Sequence, residues 1–227
     1  MLTTLNMNSS IYSIISAYES VKKILLQAGY GDEIEWQRTR KIDFICEESF
    51  LKEIAWVILS SGMRERVIRR VFPNISTAFF DWHSSEAIAR NPERCRGGAL
   101  ARFNHSGKID AIISVAQHVA QNGFDSFWDN LSKDLLQNLQ NLPYLGPATS
   151  LHLLKNLGIP TSKPDRHLTR LAFLCGSPSP QELCTEIARF TQDDVHVVDV
   201  VLWRYATLDT SLRFFGLSLE KGRLTYV

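Results

Sequence analysis

"LPYLGPATSLHLL", from Leu142 to Leu154, decides how this 227-residue chain is read. It holds a proline, a Tyr-Leu-Gly turn, a second proline and then a strongly helical run. Proline is well tolerated in the first turn of a helix, because its missing N–H had no intrahelical partner anyway. Gly146 before Pro147 therefore reads as a hairpin between a helix over 131–141 and a new one over 147–157. The N-terminus of that second helix offers backbone N–H groups and the positive end of the helix dipole, which together attract anions. Taken alone, the stretch describes an ordinary pair of antiparallel helices equally well.

Outward from the hairpin, apolar residues keep a helical period. Ser9 or Ser10 is the expected cap of a first helix carrying Ile11, Ile14, Ile15, Tyr18, Val21, Ile24 and Leu25 on one face. Residues 29–41 are polar and mixed. Residues 50–60 are almost all apolar, which predicts a central buried helix, and Ser60-Ser61-Gly62 breaks it. A helix basic on one side follows over 63–72, with Pro73 as its expected stop. Further helices are expected over 75–80, 84–90, 93–103, 109–121, 124–141 (as two), 165–175, 180–190 and 193–208. Only 223–227 at the tail reads as a strand. The fold class is all-α.

Net charge is +1, so any affinity for a polyanion must come from local patches. Arg64, Arg66, Arg69 and Arg70 form one such cluster, and Arg90, Arg94, Arg96 and Arg102 another. Cys46, Cys95, Cys175 and Cys184 make no CxxC pair and no zinc spacing, which suits reduced thiols. There is no basic start followed by an unbroken apolar run, and no apolar segment long enough to span a bilayer. A cytoplasmic location without membrane contact is expected.

Downstream of the hairpin stands Lys163-Pro164-Asp165-Arg166-His167-Leu168-Thr169-Arg170. Asp165, after a proline and before an apolar-periodic run, is a good N-cap. Together the two segments resemble the helix-hairpin-helix DNA glycosylases of the base-excision superfamily. Leu142, Pro143 and Gly146 match their Leu-Pro-x-x-Gly hairpin, and Asp165, His167 and Arg170 match their Asp-x-His-x-x-Arg segment. Glu53-Ile54-Ala55-Trp56-Val57-Ile58-Leu59-Ser60 looks like the family's buried helix ending in a turn that faces DNA. The resemblance covers residues 50–175.

It implies a two-lobed all-α fold with the active site in the cleft between lobes. Residues 1–45 and 176–227 would form one lobe. Residues 46–175 would form the other, carrying the hairpin and the catalytic aspartate. Asp165 would stabilise the positive sugar formed as the N-glycosidic bond breaks. Leu142, Pro143, Tyr144, Leu145, Gly146, Ala148, Thr149 and His167 would contact the DNA backbone. Gly62, Met63 and Arg64 would lie near the flipped-out nucleotide, Met63 as an apolar wedge or, equally, as a core residue. Trp203 is the candidate for the base pocket, since flipped bases stack on aromatic rings.

Three departures from the family pattern are informative. Bifunctional members carry a lysine two residues after the hairpin glycine, where this chain has Ala148. That implies a monofunctional hydrolase, with Lys155 and Lys163 as surface or phosphate-contacting lysines. Tyr144 stands where many relatives have glycine. Only Cys175 and Cys184 lie in the C-terminal region where some relatives bind an iron–sulfur cluster, so none is expected. A monovalent cation at the hairpin is the one ion the resemblance allows. The expected partner is double-stranded DNA with a modified base, bound by a monomer. The alternatives are a helix-hairpin-helix DNA-binding or sensor protein without catalysis, and an unrelated all-α protein with a coincidental hairpin.

Overall fold

A computed structural model describes residues 2–209, 211, 213–215, 217–220 and 223–226. The helices are α1 (Leu2–Gln27), α2 (Gly31–Arg38), α3 (Glu47–Ser60), α4 (Glu65–Ala78), α5 (Ser85–Arg90), α6 (Pro92–Leu100) and α7 (Ser106–Asn122). They continue with α8 (Phe124–Ser132), α9 (Leu135–Gln140), α10 (Pro147–Asn156), α11 (Arg166–Leu174), α12 (Pro180–Phe190) and α13 (Val195–Leu208). Among the described residues the only strands are β1 (Leu217–Glu220) and β2 (Arg223–Tyr226). They pair antiparallel, with Leu217 opposite Tyr226 and Glu220 opposite Arg223. The fold is all-α. No helix of the described residues is long and apolar enough to cross a membrane.

The chain divides into two compact units, Met1–Arg40 with Gly158–Val227, and Lys41–Leu157. This moves the expected boundary from 175 back to 157. The reason is visible in the packing. Leu168, Leu171, Ala172 and Leu174 of α11 join one apolar core with Tyr18, Val21 and Leu25 of α1 and Val197, Val198 and Val201 of α13. The helix that follows Asp165 therefore belongs with the two ends of the chain and not with the hairpin.

A buried carboxylate ties the first unit together. Asp193 accepts hydrogen bonds from Tyr18 Oη (2.6 Å), Lys22 Nζ (2.5 Å) and Arg38 Nη2 (2.8 Å). Burial pushes its carboxyl up, but the bonds from Lys22, Tyr18 and Arg38 outweigh that and hold it below the ordinary carboxylate range. The second unit is built around α3, whose Phe50, Ile54, Val57 and Ile58 are fully buried. Phe72, Phe79 and Trp82 pack beside it as stacked rings. That packing holds Phe80, Asp81 and Trp82 in left-handed conformations, with φ of 55°, 51° and 69°.

Several local expectations change. α1 starts at Leu2 and runs through Ser9 and Ser10, so neither caps it. Pro73 lies inside α4 and does not stop it. An internal proline costs about 3 kcal/mol, and burial of Ile68, Phe72 and Ile75 on the same helix offsets it. The helix expected over 75–80 is the end of α4 followed by a 3-10 turn at Phe80–Trp82. The mixed stretch 29–41 contains α2, which buries only Ile34 and Gln37 and so shows no apolar period. The strand expected over 223–227 is β2, with Val227 outside the described residues.

Candidate functional site

The hairpin is shorter than its sequence suggested. α9 ends at Gln140, and the turn Leu142–Gly146 leads into α10 with Pro147 in its first turn. Two leucines anchor it: Leu142 and Leu145 are buried, and the Leu145 N–H donates to Leu142 O at 3.2 Å. Between and beyond these anchors, Pro143, Tyr144, Gly146, Pro147 and Ala148 are exposed. Tyr144 takes a left-handed φ of 63°, the conformation for which glycine is the usual choice. Its ring is edge-on to His105 at 6.1 Å. Thr149 Oγ1 lies 3.2 Å from Tyr144 O and 3.0 Å from Gly146 O, within donating distance of both.

Gly146 occupies the N-cap position of α10, and no side chain caps that end. The first main-chain bond of the helix runs from Ser150 N–H to Gly146 O at 2.9 Å. The N–H groups of Ala148 and Thr149 precede it and point out of the helix start. Gly146 itself is extended, with φ −82° and ψ −176°, a backbone that any residue adopts. A β-carbon there would meet nothing closer than Thr149 Oγ1 at 4.0 Å. The glycine is thus not required by strain or crowding within the chain. What it secures is an open approach to the helix start.

Asp165 stands at the N-cap of α11 in extended backbone. Its Oδ1 accepts from His167 N–H (2.9 Å) and Leu168 N–H (3.0 Å). Both bonds use one oxygen, and among the described residues Oδ2 has no partner. The half-buried carboxylate is thus held by one edge and presents the other. His167 contributes its main chain to this cap, and its Nε2 accepts from Arg166 Nε at 3.2 Å. The loop before Asp165 is fixed by residues the sequence did not single out. Gln181 Oε1 accepts from Ser162 N–H at 2.8 Å, and Asp199 Oδ2 accepts from Lys163 N–H at 2.8 Å. Asp199 lies on α13 and is buried. Trp203 follows it by one helical turn, so both share a face. Trp203 is half-buried against the core of the first unit, with the Arg204 guanidinium 4.8 Å from its ring and a Glu33 carboxylate holding Arg204.

Gly62, Met63 and Arg64 form an exposed turn between α3 and α4. Gly62 has φ +68°, and the Met63 N–H donates to Ser60 O at 3.0 Å. Met63 is 40% exposed and is not a core residue. Of the two arginine clusters, Arg69, Arg90 and Arg96 pair with Glu65, Glu86 and Asp110. Arg94 lies over the Phe80 ring. Arg64, Arg66, Arg70 and Arg102 are exposed and form no ion pair among the described residues. Lys155, expected at the surface, is buried in the last turn of α10. Ala148 is exposed at the start of the same helix.

No family model matches the chain, and no curated protein matches it in sequence. In three dimensions it is similar to the crystal structure of the Methanocaldococcus jannaschii 8-oxoguanine glycosylase/lyase in complex with a 15mer DNA containing 8-oxoguanine. The TM-score is 0.59 at 18% identity, over 86% of this chain and 97% of that one. That protein has the helix-hairpin-helix fold the sequence motifs resemble. The chain has the fold of the helix-hairpin-helix DNA glycosylases.

Proposed function

We propose that this protein is a DNA glycosylase that hydrolyses the N-glycosidic bond of a modified base in double-stranded DNA. The observation that carries the reading is the presence of two unlike helix starts in one chain of this fold. One is bare and exposed, suited to a backbone phosphate. The other is occupied by a carboxylate with one oxygen uncommitted. A flipped nucleotide departs through a positively charged sugar, and a fixed carboxylate stabilises that charge. Asp165 also accepts a proton from water as water adds to the anomeric carbon and the base leaves.

The product is an intact abasic site. No amine stands at Ala148, and Lys155, on the same helix, is buried about two turns away. Hydrolysis without a lyase step distinguishes this chain from its glycosylase/lyase neighbour. The hairpin residues 142–146 with Ala148, Thr149 and His167 contact the DNA backbone, and Gly62, Met63 and Arg64 approach the displaced base. Trp203 contributes to the base pocket. The reading requires no organic cofactor and no iron–sulfur cluster. A monovalent cation at the hairpin, which the family resemblance allows, is part of the same reading. A monomer at the cytoplasmic nucleoid completes the proposal.

The test is a panel of duplexes, each with one alkylated purine, uracil, oxidised guanine or hypermodified pyrimidine. Base release followed by alkaline cleavage is expected for one class, with intact strands before alkali and no borohydride-trapped adduct. Binding to damaged duplex without release across the panel would favour a catalytically silent DNA-binding protein. A trapped adduct lost in Lys155→Ala or Lys163→Ala would replace hydrolysis by amine attack.

A further inference from the structure

The start of α7 reaches both exposed loops of the second unit. Lys108 is 3% exposed, and no carboxylate pairs with it among the described residues. Its Nζ donates to Leu59 O at 2.8 Å and to Ser61 O at 2.5 Å, the carbonyls where α3 breaks. Two neighbouring carbonyls are met locally, Val57 O by Ser61 N–H and Ser60 O by Met63 N–H. Lys108 therefore completes the turn that carries Gly62, Met63 and Arg64. On the neighbouring positions, His105 caps α7 through its Nδ1 and faces the Tyr144 ring. Gly107 leaves room for the same ring, since a β-carbon there would lie 2.5 Å from Tyr144 Oη.

We propose that His105–Lys108 is a clasp that fixes the register between the Met63 turn and the hairpin, with Lys108 and Gly107 as positioning residues. The proposal rests on the reading of both loops as DNA contacts. Desolvating an unpaired charge is expensive, and an apolar side chain of like length fills the space without that cost. Burial lowers the Lys108 pKa to about 8. Simple closure of α3 does not call for such a residue. Holding the carbonyls of Leu59 and Ser61, one on each side of Ser60, in one geometry does. One turn of α7 then separates the groups that hold the two loops, about 4.5 Å along the axis. A wedge entering the base stack must stand at a set displacement from the group that grips the phosphate. A misplacement of about 1 Å costs up to about a hundredfold in such positioned chemistry.

The test compares binding of the full chain to a duplex holding a tetrahydrofuran abasic analogue with binding to the same duplex intact. Wild-type protein is expected to prefer the abasic-analogue duplex, because Met63 fills the space left by the missing base. Lys108→Met lowers that preference about tenfold, a coupling within the range measured for contacting residues, and leaves intact-duplex affinity nearly unchanged. In a Met63→Ala background the same substitution lowers it no further. Gly107→Ala displaces Tyr144 and gives a smaller loss, about threefold, while a helical alanine preserves the fold. Without DNA, amide exchange at Met63 quickens in Lys108→Met. An unchanged preference in both variants, or losses that simply add in the Met63→Ala background, would overturn the clasp. Should Lys108→Met fail to fold, Gly107→Ala decides alone. A wild-type protein that binds neither duplex would overturn the functional reading, and the clasp's role with it.

Discussion

The starts of α10 and α11 follow one another in the chain and are built to opposite plans. Gly146 caps α10 with no side chain and leaves its first N–H groups exposed. Asp165 caps α11 with a carboxylate that takes two N–H groups for itself. One start leaves its positive end open to the outside. The other satisfies its N–H groups internally and so fixes the orientation of a negative charge. Glycine at an N-cap ranks level with threonine and only a few tenths of a kcal/mol below aspartate, so the two plans differ less in stability than in what each leaves exposed.

Substitutions that exchange the two plans test that contrast. The largest effect is expected for Asp165→Asn. Asparagine caps as well as aspartate, so stability and duplex binding stay near wild type. Base release should fall by about a thousandfold or more, as when a group stabilising transition-state charge is lost. Single-turnover assays beside thermal melts measure both. Wild-type release would reduce Asp165 to a helix cap.

Gly146→Asp comes next. The backbone accepts aspartate and the site has room for it, so α10 gains a cap worth a few tenths of a kcal/mol or more. Affinity for every duplex, damaged or not, should nevertheless fall about thirtyfold, roughly 2 kcal/mol, because a carboxylate meets the phosphate. A variant that is more stable and binds DNA less well supports the contrast. Unchanged affinity at moderate salt would remove the hairpin from the interface.

A smaller effect is expected for Asp199→Ala, which removes the acceptor that asparagine would keep. Asp199 holds the Lys163 N–H and touches neither DNA nor sugar in this account, so it positions Asp165 through the loop. It should lower kcat about tenfold with KM unchanged, the pattern of an interaction used in the transition state. A rise in KM alone would place it in binding instead.

Asp193→Asn should leave release by the folded enzyme unchanged. It should destabilise the first unit by about 2 kcal/mol, since Lys22 and Arg38 are partly solvated. Asp193 titrates below the ordinary carboxylate range when folded. Its contribution is therefore present above the unfolded pKa and is lost as pH falls through that range to the folded value. The gap in stability between wild type and variant should accordingly close in acid, which melts across pH would follow.

The two helix starts were legible in the sequence because their chemistry is local. Pro147 in a first turn, Gly146 at its cap and Asp165 before an apolar run act through neighbours two or three residues away. The supporting groups were not legible for the converse reason. Lys108 meets Leu59 at a separation of 49 residues, and Asp193 meets Tyr18 at 175. Nothing in the pattern around Lys108 or Asp199 marks them off from surface charges. The division at Leu157 was missed because α11 carries the same helical period whichever core it joins. Pro73 misled because packing on α4 overrides a local rule.

The most direct test of the central claim follows Asp165→Asn and Gly146→Asp on one cognate duplex, measuring equilibrium affinity and single-turnover release at saturating protein. Asp165→Asn should bind and fail to release. Gly146→Asp should bind weakly, yet release at the wild-type rate once saturated. If both variants lose the same quantity, whether affinity or release, the two helix starts do not divide the work between them and the account is wrong.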